Sequence, residues 1–373
     1  MKNLLIITLI TLLITSCGGR EGVPGNYESE IYVPRYSSGF KITEDSLSGN
    51  RMITVFNPWQ GSKDISTRLL ILKDSTESID TGFQTLTNKA ERIICMSSTH
   101  IAMIDALGEI SRVVGVSGKQ YVSNPYIQGS DIPDIGYEGN IDYEKIVAAK
   151  PDLVLLFSVN GSSGMEPKLK ELGIPYVYIA DYVEEDPLGK SEWIIPIAEI
   201  LGKREEGVKR FQEITANYEK LKAEINTDSL KRPKVMVNTP FLDVWYMPST
   251  ESYVAKMIKD AGGDYIYTKN TGNSSKPIDL EEALKLVSET DYWINVGTVV
   301  SLDELKAEFP EFINARCIKE GKIYNNNLRA SHGGGNDCYE SGVIHPDIIL
   351  RDMIKIFHPE LVEEDFTYYR HVN

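Results

Sequence analysis

Two short blocks repeat one arrangement of acids. Ile141-Asp142-Tyr143-Glu144 opens an apolar stretch of helical spacing that passes Asp152 into a strand-like run, and Ile278-Asp279-Leu280-Glu281 opens a second that passes Asp291 into another. An Asp there can accept an orphan N–H of a helix start. A Glu two residues later falls in the first turn, where a carboxylate suits the helix dipole and stays free to meet a cationic partner. The rest of the chain offers binding chemistry rather than catalysis. It holds no Walker loop, since 115–119 lacks the spacing, no nucleophile elbow, and no Cys-x-x-Cys, HExxH or His-rich cluster. Five histidines, with His358 and His371 in the tail, are few for a site that holds a bare metal ion.

The elements that must position these groups alternate. IICM is a strand, a helix capped by Ser98 or Thr99 runs to Leu107 and stops at Gly108, and VVGVSG is the next strand. The Asp142 helix, PDLVLLF, MEPKLKELG and PYVYIA continue the rhythm. The second half repeats it with KVMVNT (234–239), a helix capped by Ser249 or Thr250 and ended by Gly262-Gly263, the Asp279 helix, DYWINVG, SLDELKAEF and KIYNN. HPDIILRDMIKIFHP closes it, with Pro346 in the first turn. Such alternation builds parallel sheets covered on both faces. The fold class expected is therefore α/β, two doubly wound lobes with parallel sheets joined by one long α-helix. That helix is 205–225, with Val208, Phe211, Tyr218, Leu221 and Ile225 on one stripe. It reaches about 31 Å, enough to cross a lobe.

The boundaries expected are 1–17 for a leader, 18–29 for a small polar tether, 30–186 for the first lobe, 187–230 for connecting helices and 231–373 for the second lobe. Strands at 40–42, 52–56 and 68–72 make 30–88 an antiparallel decoration of lobe one. Lys2 and the apolar run 4–14, broken only by Thr8 and Thr11, have the layout of a secretory signal and are too short to span a bilayer. Ile14-Thr15-Ser16-Cys17 resembles the bacterial lipoprotein signal, which implies lipidation of Cys17 and a membrane anchor outside the cytoplasm. Loss of Lys2 with the leader takes the formal net charge from −15 to −16, which argues against nucleic acid as a partner. Cys95 reads as a small buried hydrophobe. Cys317 and Cys338 flank an Asn-rich segment, and sequence does not fix whether they pair.

RIICMSSTHIAMIDALG, the IDYEKIVAAKPDLVLL block, the LGIP turn at 172–175 and the second IDLEE block together resemble the periplasmic substrate-binding lipoproteins of ABC importers. The class is the one for iron-siderophore complexes, haem and cobalamin, with a helical backbone between two lobes. The resemblance covers roughly 90–358. It implies capture of an iron complex, a siderophore-like chelate, with cobalamin or haem as the alternative, and delivery to an ABC permease and its ATPase. It also implies permease docking by Glu144 and Glu281, with Glu282 as an adjacent alternative. No resident cofactor is expected. A metal-cluster or chelatase-type enzyme on a related two-lobed fold is the reading from another class.

Ligand is expected at the carboxyl ends of the parallel strands. The candidates there are Thr99, His100, Tyr121, Tyr137, Phe157 and Tyr182 in lobe one, and Trp245, Tyr246, Arg329, Asn336 and Tyr339 in lobe two. Twenty tyrosines are many for 373 residues, and flat rings with a polar tip suit a large macrocyclic or aromatic ligand. Trp245 is expected to be a ligand platform. Where siderophore-binding relatives often place an Arg, 135–140 has Tyr137 and Glu138, and Arg329 is the sole Arg or Lys of 325–342. A strongly anionic chelate is disfavoured accordingly. His100 and His332 read as capping, packing or loop residues before metal ligands.

Overall fold

The computed structural model describes residues 25–373 apart from 74–82, 138, 226–229, 242–243 and 273. The leader, Cys17 and most of the tether lie outside the described residues, as does Glu138. An N-terminal sheet comes first, ordered β1 (Ser29–Tyr32), β2 (Phe40–Glu44), β3 (Arg51–Phe56), β4 (Ser66–Leu72) and β5 (Gln84–Thr87). Its first four strands are antiparallel, but β5 pairs parallel with β4, Leu69 opposite Gln84 and Leu72 opposite Thr87. The expectation of an all-antiparallel decoration is corrected there. Residues 73–83 separate β4 from β5, a connection too long to impose the reversal that a two-residue hairpin would.

Lobe one follows with β6 (Ile93–Cys95), α1 (Ser98–Ala106), β7 (Val113–Val116), α2 (Pro125–Gln128), the hairpin β8 (Gly136–Tyr137) and β9 (Asn140–Ile141), α3 (Tyr143–Ala149), β10 (Leu153–Leu156), α4 (Glu166–Glu171) and β11 (Tyr176–Tyr178). Its sheet is parallel, ordered β11-β10-β6-β7. Every residue of IIC and LVLL is buried, as strands covered on both faces require. The connection is α5 (Pro187–Glu192), α6 (Ile194–Leu201) and the 22-residue α7 (Arg204–Ile225). Gly207 lets α7 lie against α6, because a Cβ there would stand 2.4 Å from that of Ala198. At the far end the Tyr218 hydroxyl donates to Asp260 Oδ2 at 2.9 Å. The long helix is thereby fixed at both ends.

Lobe two has β12 (Lys234–Val237), β13 (Trp245–Met247), α8 (Tyr253–Asp260), β14 (Asp264–Tyr265), β15 (Lys276–Ile278), α9 (Leu280–Ser288), β16 (Tyr292–Ile294), α10 (Leu302–Glu308), α11 (Arg316–Lys319), β17 (Ile323–Asn325), α12 (Pro346–Phe357) and β18 (Arg370–His371). Its sheet runs β14-β12-β16-β17-β18, parallel except for β18. Taken in chain order within each lobe, both parallel sheets run second, first, third, fourth. The repeated blocks of the sequence are one topology built twice. As expected, Asp142 caps α3 by accepting from Lys145 N–H, and Asp279 caps α9 by accepting from Glu282 N–H.

The N-terminal sheet is locked in place by buried acids in and just before the connection. Glu192, fully buried, accepts from the Tyr32 hydroxyl at 2.7 Å and from the N–H groups of Arg35, Tyr36 and Ser37 at 2.8, 2.8 and 2.7 Å. Glu184 accepts from the Ser37 hydroxyl and from Trp193 Nε1, and Glu199 pairs with Arg51 and Arg204. Hydrogen bonds of this number offset the cost of burying each carboxylate.

Candidate functional site

A cavity of about 500 Å³ opens between the lobes where their strands end. In a sheet ordered second, first, third, fourth, the crevice lies between the first and third strands, where the chain changes side. Here those points face each other. Ser97, Ser98 and Thr99 follow β6, Phe157 follows β10, Asn238 follows β12, Asn295 follows β16, and all six line the cavity. The two asparagines occupy the left-handed region, with φ of 63° and 59°, a conformation Asn tolerates better than most residues. The Tyr369 hydroxyl donates to Asn295 Oδ1 at 2.9 Å, which orients that amide.

Lobe one contributes the polar part of the floor. Ser97 caps α1 by accepting from Thr99 N–H, and the Thr99 hydroxyl donates to Asp181 Oδ1 at 3.2 Å. Burial pushes the Asp181 carboxyl up to about 6, although the Lys190 charge pulls it down. Lys190, from α5, donates to the carbonyl oxygens of Asp181 and Tyr182 at 2.9 and 3.1 Å. Its ammonium stands 5.7 Å from the ring centroid of Tyr182 and 5.5 Å from that of Tyr253. Phe157 meets Tyr182 edge-on at 5.7 Å. Val254, Val343, Ile349 and Met353 make the rest of the wall largely apolar. Among the described residues no group of three His, Cys, Asp or Glu gathers as a metal site.

Of the residues singled out from sequence, Thr99, Phe157, Tyr182 and Tyr339 meet in this cavity. The others lie outside its lining. His100 is fully buried one residue past Thr99, and burial lowers its pKa to about 3, so the ring is neutral. Tyr137 is exposed on the β8–β9 hairpin, and Tyr246 is exposed on the β13–β15 ribbon opposite Pro277. Arg329 pairs with Asp337 at 2.9 Å and lies over the Tyr368 ring. Asn336 caps a turn, accepting from Cys338 N–H at 3.0 Å. Tyr121, half exposed, belongs to a contact between lobes: a Cβ on Gly333 or Gly335 would meet the carbonyl oxygen of Gln120 or Tyr121 at 2.0 or 1.9 Å. Beside it, Glu340 of lobe two accepts from the N–H groups of Ser123 and Asn124 of lobe one at 2.6 and 2.8 Å.

Trp245 is corrected from platform to core. It is 1% exposed, 5.3 Å from the Trp293 ring and 5.6 Å from that of Phe312, and its Nε1 donates to Val237 O at 3.0 Å. β13 pairs antiparallel with β15, so the chain after β12 folds back against its own lobe instead of opening onto the cleft. Cys317 and Cys338 are both free thiols, the first in the lobe-two core and the second in the cavity wall. Sequence reading missed Lys190, Tyr253, Asn238 and Asn295. Only the asparagines carried a signal, an Asn directly after each apolar strand.

A larger concavity of about 780 Å³ lies on lobe two between α7, α8 and β14. Of its charges, Lys222 pairs with Asp260, Arg232 with Asp264 and Lys234 with Glu289, and none of the switch-point residues lines it. The cleft is the better site.

Known proteins agree with the architecture. An uncharacterized lipoprotein of Methanocaldococcus jannaschii is 26% identical over 99% of this chain and 96% of its own. A vitamin B12-binding protein of Vibrio campbellii is 27% identical over 49% of this chain and 63% of its own. Among solved structures, a periplasmic haem-binding protein of Pseudomonas aeruginosa superposes with a TM-score of 0.60 at 16% identity, covering 76% of this chain and 98% of that one. The periplasmic vitamin B12-binding protein of Vibrio cholerae superposes with a TM-score of 0.53 at 14% identity, covering 74% and 99%. Residues 93–326 match the periplasmic binding protein family over more than half of the chain, and with two lobes of one topology joined by α7 the protein belongs to that family.

Proposed function

We propose that the protein is the substrate-binding lipoprotein of an ABC importer, held outside the cytoplasm by lipid on Cys17, and that it captures a bulky metal–organic chelate between its lobes. The observation that carries this is the cavity itself: both switch points face it, its wall is mostly apolar and aromatic, and it presents one ammonium. A bare ion would need converging His and carboxylate ligands. A flat macrocycle of the haem or cobalamin kind suits rings and aliphatic side chains better than a highly anionic siderophore does. Delivery rests on Glu144 and Glu281, each exposed in the first turn of a crossover helix and at matching places in the two lobes. Glu282 is engaged by Lys269, which favours Glu281 as the free acid for a basic permease surface. To test this, the body from Gly25 onward is titrated with haem, cyanocobalamin and a ferric siderophore while the visible spectrum is recorded. Saturation at one equivalent by one of them is expected, and no binding of any chelate would refute the reading.

A further inference from the structure

The cavity has a second chamber, and the N-terminal sheet builds its wall. A space of about 410 Å³ adjoins the first and shares Tyr182, Lys190, Pro248, Ser252 and Tyr253 with it. The far wall is the loop leaving β3, with Phe56, Asn57, Trp59 and Gln60, and lobe two closes it with Ser274 and Ser275. The loop is held rigidly: Gln60 N–H donates to Val159 O at 3.0 Å, and Trp59 packs edge-on against Tyr178 at 5.5 Å. The matched family region begins at residue 93, so this wall comes from outside it.

The two chambers differ in chemistry. The inner one is mostly apolar and aromatic above a polar floor, whereas amide and hydroxyl side chains dominate the outer one, with Glu184 and Glu185 on its lobe-one side. The Gln60 and Ser275 side chains are exposed there. Lys190 stands at the junction, lining both spaces, with two of its three N–H groups given to carbonyl oxygens. A sheet bolted down by Glu184, Glu192 and Glu199 keeps this outer wall in place before any ligand arrives. Preorganised polar walls favour a ligand arm that brings its own hydrogen-bonding groups.

We infer that the N-terminal sheet is a working part of the binding site, and that the protein selects a two-part ligand. An apolar macrocycle occupies the inner chamber, an anionic link lies at Lys190, and a polar arm fills the outer chamber. The inference rests on the chelate reading above and narrows it to macrocycles that carry such an arm.

Cyanocobalamin and dicyanocobinamide are suitable probes. They share a corrin ring, but only the first has the phosphodiester-linked nucleotide arm. Isothermal titration of the body from Gly25 onward is expected to show cyanocobalamin binding about tenfold or more tighter than dicyanocobinamide. Gln60→Ala, which deletes one outer polar group, and Ser275→Trp, which fills the chamber from the other lobe, are expected to shrink that ratio while dicyanocobinamide affinity holds. Thermal melts confirm that the variants are folded. Equal affinity for the two corrinoids in the parent protein, or a ratio untouched by both variants, would overturn the outer chamber and leave the chelate reading standing. Failure of the parent protein to bind either corrinoid, with haem bound, would overturn the two-part ligand alone. Failure to bind all three would overturn both.

Discussion

The ammonium of Lys190 lies 5.5 Å from the ring centroid of Tyr253, so a cation carried by α5 sits against an aromatic ring carried by lobe two. That contact spans the cleft between the connecting helices and the second lobe. On the proposed function, Lys190 is the group that a ligand's negative charge would meet.

Lys190→Met should therefore weaken binding of a chelate with carboxylates, haem being the probe, by roughly tenfold. Titrations at low and high salt should show a smaller salt dependence in the variant than in the parent protein. Unchanged affinity and unchanged salt dependence would remove Lys190 from the site.

Trp245→Ala tests the corrected assignment of that ring. A Trp buried against Trp293 and Phe312 should cost about 3–5 kcal/mol of stability on truncation. Urea melts measure that loss, and the fraction that stays folded should bind ligand with parent affinity. Weak binding by a variant of parent stability would restore the platform role.

Glu340 ties the lobes and should make their contact pH-dependent. Burial raises its pKa from 4.5 to about 7, against the pull of the Ser123 and Asn124 N–H groups, with Asp337 and Asp105 adding to the rise. A carboxyl whose folded pKa lies above its unfolded one stabilises most below the unfolded value and loses that contribution as pH rises to about 7. Glu340→Gln lacks this titration and loses one acceptor. Its melting temperature should fall below that of the parent at pH 5, and the gap should narrow by pH 8. A gap constant across that range would contradict a titrating Glu340.

Glu144→Ala with Glu281→Ala should abolish most uptake in cells while leaving chelate affinity within about twofold, because both acids are exposed on crossover helices and neither lines the cavity. Uptake at parent level from a double variant of normal abundance would exclude the docking role.

The sequence announced what depends on local periodicity. Asp142 and Asp279 appear where caps were expected, α7 follows the apolar stripe of 205–225, and Thr99, Phe157 and Tyr182 lie at strand ends that the βα rhythm locates. What it hid depends on long-range packing. Trp245 occupies a strand that turns back onto its own lobe through β15, a pairing with no local mark. Lys190 lies in the last turn of α5 and Tyr253 starts α8, and their meeting across the cleft depends on how those helices pack, not on their neighbours in sequence. No local signal marks Glu184, Glu192 and Glu199 for burial, since the folded N-terminal sheet supplies donors that let them be buried.

If ligand occupies the cavity where the two switch points face each other, filling that cavity should abolish binding. Ser98 opens α1 and lines the space, and a Trp there projects bulk into the cleft without entering either core. The measurement is an isothermal titration of Ser98→Trp beside the parent protein, using whichever chelate the parent binds at one equivalent, with thermal melts as the folding control. Loss of binding by a hundredfold or more, on the order of 3 kcal/mol, is expected at an unchanged melting temperature. Binding of one equivalent at parent affinity with the cavity filled would contradict it.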